Sequence, residues 1–147
     1  MIPWLTANWF AFVQTAGVVG GLLMSATALR MDTRVRRTEV VLRLTEAHRD
    51  IWEKLVEQPS LARVLDPEAS LREAPPSPAE RRFVQLVILH LATVRQAVKE
   101  RAYDASPGMD EDIRQFLALP IPRLVASAML PYQAPDFQEY LHALMER

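Results

Sequence analysis

The sequence predicts an all-α protein, with one N-terminal transmembrane helix continuing into a small cytoplasmic helical bundle. Three observations carry this. Trp9 to Leu29 holds no charged side chain, and at about 1.5 Å per helical residue it spans roughly 30 Å, the thickness of a bilayer's hydrocarbon core. The chain has 4 glycines, of which Gly17, Gly20 and Gly21 lie in that run, and no N-G, D-G or G-G pair follows it. Hairpins need such pairs at their turns, so strands are not expected. Prolines do the punctuating instead, at positions 59, 67, 75, 76, 78, 107, 120, 122, 131 and 135, each marking a break between helices.

Charge placement orients the first helix. Met1 to Asn8 carries no basic residue, whereas Arg30, Arg34, Arg36 and Arg37 follow the apolar run, opposed locally by Asp32. Arginines beyond a span hold that side in the cytoplasm, which leaves the amino terminus outside at the cell (inner) membrane. Trp4, Trp9 and Phe10 sit where aromatic rings favour the outer interface. Residues 1–30 are therefore read as stub and span, and residues 31–147 as one cytoplasmic helical domain. Two readings compete. Ala26-Thr27-Ala28 offers a signal-peptidase site, but a signal peptide carries its basic residues before the apolar core. A buried soluble helix is the other competitor, because Gln14, Thr15, Ser25 and Thr27 dilute the apolarity.

Small residues recur at close-packing spacing inside the span. Gly17 and Gly21 form G-x-x-x-G, extended by Ser25, with Ala16, Gly20 and Ala28 on a neighbouring row. Such stripes let membrane helices approach closely, and a mid-helix amide such as Gln14 is best satisfied by a partner helix. Gln14, Gly17, Gly21 and Ser25 are therefore the expected oligomerisation residues.

Nothing breaks a helix from Met31 to Glu57, so the anchor is expected to run on into a rod whose stripe is Val41, Leu44, His48, Ile51 and Leu55. Such a rod suits an assembly better than a flexible tether does. Gln58-Pro59-Ser60 closes it, and Ser60 is placed to cap a short helix that Asp66-Pro67 ends. Ser77-Pro78-Ala79-Glu80 has the pattern of a capping box with proline at the first helical position. The helix it opens is expected to reach about Tyr103 and, apolar almost all round from Phe83 to Val94, to be the central core element. Ser106-Pro107-Gly108 turns the chain into a helix over Met109 to Leu119, with Asp110, Glu111 and Asp112 complementing its dipole. An extended link over Leu119 to Pro122, a helix over Arg123 to Leu130 and a last helix from Pro135 complete the reading.

Composition excludes several classes. A net charge of -1 gives no basic surplus for nucleic acid. The absence of cysteine removes disulfides, thiolate catalysis and thiolate metal sites. No phosphate-binding loop, zinc-protease or serine-hydrolase motif occurs, and no cofactor is expected. His48, His90 and His142 fall on three different helices, with nothing in their spacing to bring them to one metal.

Arg43-Leu44-Thr45-Glu46-Ala47-His48 resembles the R-x4-6-H signature of HEPN-type helical domains, in which such residues from paired protomers act on RNA. Leu44 stands where that family usually has a polar residue. The resemblance implies histidine as the acid or base and arginine as the partner of phosphate charge, making Arg43 and His48 the candidate catalytic pair. One span followed by a HEPN-like bundle is similar in outline to membrane accessory proteins of RNA-targeting CRISPR defence systems, which assemble into pores. The expected function is thus a homo-oligomeric membrane effector or accessory protein, with membrane lipid and a second copy as partners. The alternatives are a membrane-tethered RNase, and an adaptor holding a soluble protein partner in an apolar groove between its short carboxyl-terminal helices.

Overall fold

The computed structural model describes the backbone of residues 3–146 and the side chains of residues 9–32 and 34–146. The Trp4 ring, expected at the outer interface, lies outside those side chains. The described residues are all-helical and contain no strand. The first helix, α1, is one element over Pro3–Glu57. A 3-10 segment follows at Pro59–Leu65, then α2 (Pro78–Lys99), α3 (Met109–Ala118), α4 (Pro120–Met129), a 3-10 turn at Leu130–Tyr132, and α5 (Pro135–Met145).

The chain divides into two compact units, Met1–Glu39 and Val40–Arg147. The boundary read from charge, after Arg30, marks where lipid is expected to end; the packing boundary falls after Glu39. In the first unit every described side chain from Trp9 onward is exposed.

The second unit has a conventional core. Phe83, Val84 and Ile88 of α2 meet Ile113 and Leu117 of α3, Ile121, Val125 and Ala126 of α4, and Phe137, Leu141 and Leu144 of α5. Among the described side chains of α1, only Leu44 and Ile51 are buried. The expectation that α2 is covered all round needs correcting: Leu86 is 37% and Leu89 52% exposed. This face of α2 borders an open cleft shared with the second half of α1.

Local chemistry explains the boundaries. The capping box of α2 is present, with the Glu80 N–H donating to Ser77 Oγ at 3.2 Å and the Ser77 N–H donating to Glu80 Oε2 at 2.6 Å. Glu80 is buried, and Arg63 answers its charge at 3.1 Å while also donating to the carbonyl of Ala74. This single guanidinium pins the 3-10 segment, the following loop and the start of α2 together. Burial pushes the Glu80 carboxyl up, but the Ser77 backbone and hydroxyl together with Arg63 outweigh it and hold it below 4.5.

Three boundaries differ from the sequence reading. Ser60 caps nothing: Gln58 precedes the segment without a side-chain cap, and the segment is 3-10 rather than α. The link over residues 119–122 is shorter than expected, because α4 already starts at Pro120. Pro120 and Pro122 lie in its first turn, where backbone N–H groups have no intrahelical acceptor, so neither proline costs a hydrogen bond. Helix α2 stops at Lys99 rather than near Tyr103. The Arg101 N–H bonds the Val98 carbonyl and the Ala102 N–H bonds the Ala97 carbonyl at 2.8 Å, the pattern of a Schellman stop. Arg101 takes the left-handed conformation there, with φ 56°.

Candidate functional site

The face of α1 expected to self-associate lies entirely within the first unit. Gln14, Gly17, Gly21 and Ser25 fall within a sector of about 80° on a helix of 3.6 residues per turn, and all four are exposed. A Cβ added to Gly17, Gly20 or Gly21 would meet nothing within 4 Å. No steric demand inside the chain therefore asks for glycine at these positions. Two of the three hydroxyls that dilute the run are internally satisfied: Thr15 donates to the Ala11 carbonyl and Thr27 to the Met24 carbonyl, each at 2.8 Å. Their transfer into an apolar medium is correspondingly less costly.

The second unit holds an apolar cleft of about 680 Å³ between the second half of α1, α2 and α3. Leu55, Val87, Leu91 and Phe116 form much of its wall, and His48, Trp52 and His90 supply polar edges. The Trp52 indole N–H donates to His48 Nε2 at 2.9 Å. In that arrangement Nε2 is the acceptor, so the proton of the neutral ring sits on Nδ1. The rings of His48 and His90 lie 5.7 Å apart. Burial, and then the nearby His48 charge, lower the His90 pKa from 6.5.

The structure thus joins two of the three histidines that the sequence left on separate helices. His142 does not join them, being exposed on α5. Among the described residues no three His, Asp or Glu side chains gather as a metal-ligand set. Spacing gave no signal for the His48 and His90 pair; the one readable hint was that Trp52 follows His48 by four residues on an apolar stripe.

Arg43 and His48 are not brought together. Five residues turn an α-helix through about 140° from one side to the other, and the two line different clefts. His48 borders the apolar cleft, whereas Arg43 borders a second one with Ala47, Asp50, Lys54, Leu86 and Leu89. Two of the three acidic residues of α3 have structural partners: Glu111 pairs with Arg114 at 2.6 Å, and Asp110 accepts from the Tyr140 hydroxyl at 2.6 Å. Tyr140 in turn lies under the Arg95 guanidinium at 4.3 Å, which ties α5 to α2 and α3.

No family model, curated protein sequence or solved structure matches this chain.

Proposed function

We propose that the chain is a single-pass membrane protein with its amino terminus outside and its bundle in the cytoplasm, which assembles with copies of itself as an oligomeric membrane effector or accessory protein. One observation carries the reading: a bilayer-length uncharged helix with every described side chain exposed. In water such a surface is insoluble, so lipid or a partner helix has to cover it. The open glycines on one side add the assembly step, since close approach of a second backbone explains residues that cost helix propensity and relieve nothing within the chain.

Mass measurement of the detergent-extracted particle tests this. An oligomer that falls apart in Gln14→Leu and Gly21→Leu supports the stripe, and a monomeric wild-type particle overturns it. A cleaved signal would instead yield a mature chain lacking the run, visible in its intact mass.

The ribonuclease reading retains two imidazoles in one cleft, but His48 Nε2 is engaged by Trp52 and Arg43 faces elsewhere. Catalysis would then require an arginine from another protomer, and RNA cleavage abolished by His48→Ala would establish it. An adaptor would use this apolar cleft between α1, α2 and α3 rather than the expected groove between the short carboxyl-terminal helices, and a soluble partner lost on His90→Trp would favour it.

A further inference from the structure

We propose that Arg30, Arg34 and Arg37 form a binding stripe for the phosphate of anionic phospholipid in the inner leaflet. The inference rests on the membrane reading above and adds which lipid class the protein gathers around itself.

The three residues follow one another at spacings of four and three and fall within a sector of about 60° on the helix. With Thr27 and Met31 they enclose a recess of about 430 Å³. The fourth arginine of the cluster is directed elsewhere. Arg36 donates to Asp32 at 2.8 Å, and on helical geometry this pair lies about half a turn away from the stripe. The cluster is therefore sorted into a side that carries an ion pair and a side whose recess has three arginines and no acidic residue in its lining, which a topology signal alone would not require.

Position selects lipid as the source of the phosphate. Arg30 is the first charged residue after the uncharged run, and from Arg30 to Arg37 the helix rises about 10 Å, enough to cross a headgroup layer of roughly 5–8 Å. Thr27 and Met31 lie beside the arginines on the same face, so a lipid whose phosphate meets the guanidiniums places its glycerol and upper chain against them. Guanidinium suits this contact because its planar donors pair with two phosphate oxygens at once. A free anion would satisfy the guanidiniums but leave Met31, which is 69% exposed, uncovered.

The test reconstitutes the full chain into mixed vesicles of phosphatidylcholine and phosphatidylglycerol, excises the protein with its surrounding lipid in polymer discs and measures lipid composition. Wild-type discs should be enriched in phosphatidylglycerol, with preference falling by roughly fivefold for each arginine changed to glutamine near the surface. Arg36→Gln should leave the enrichment in place. An unchanged lipid ratio in the Arg30→Gln, Arg34→Gln, Arg37→Gln variant overturns the proposal, as does loss of enrichment when inorganic phosphate is added at constant ionic strength. Protein that stays out of both the mixed vesicles and pure phosphatidylcholine overturns the membrane reading itself. Equal incorporation into both without enrichment overturns only the lipid preference.

Discussion

Two stretches, Trp9 to Leu29 and Phe83 to Val94, have nearly the same character on paper and opposite surroundings in the structure. Both are helical and largely apolar round the full circumference. The first has no buried side chain, while in the second Ile88 and Val84 are 0% exposed. The difference lies in length and flanks rather than in apolarity. The later stretch is shorter than a bilayer, is interrupted by Gln85 and His90, and follows a capping box tied to Arg63. The earlier one has membrane length, two internally bonded hydroxyls and arginines just beyond its carboxyl end.

The comparison breaks most sharply where one stretch is packed and the other open. Ile88→Ala should cost about 2–5 kcal/mol of bundle stability, read by urea unfolding of the extracted protein, because its neighbours cannot close the cavity. Val19→Ala should leave the same curve unmoved. The converse change is nearly as large: Val19→Asp should oppose insertion by about 2.5–3.5 kcal/mol, seen as protein released by alkaline carbonate, with the bundle's melting temperature unaltered. If Val19→Asp also melts the bundle, the first helix is serving as a core element and the contrast fails.

A smaller effect concerns the flank of α2. Arg63→Ala should cost about 1–2 kcal/mol, less than a fully buried pair, because the arginine is partly exposed while Glu80 is not. The sign of the pH effect follows from the lowered Glu80 carboxyl. Its contribution is complete above 4.5 and is lost as pH falls through the folded value. Urea midpoints measured down the acid range should therefore fall more steeply in the wild type than in Arg63→Ala. His90 contributes in the same direction nearer neutrality, since its folded pKa lies below 6.5 and acid favours the chain that binds the extra proton.

Much of the fold was legible because helix starts are written in side chains. Ser77 and Glu80 announced α2, and Pro135 announced α5. What was illegible depended on pairing across the sequence. No local pattern says that His48 meets His90, that Arg63 reaches Glu80, or that Leu86 and Leu89 stay uncovered. The proline-rich link was misjudged because proline is a breaker inside a helix and harmless in its first turn. For the candidate sites, spacing placed the glycine stripe on one face, and the same helical arithmetic separates Arg43 from His48.

Arg101 carries one more consequence. An L-residue held at φ 56° pays a steric penalty that glycine escapes, so the bundle retains a small reserve of stability at the close of its central helix. Arg101→Gly should stabilise the bundle by about 0.5–1 kcal/mol, read as a higher melting midpoint, because relief of the strain exceeds the cost of the looser unfolded chain. That single exchange would give a hardier background in which more damaging replacements could still be purified.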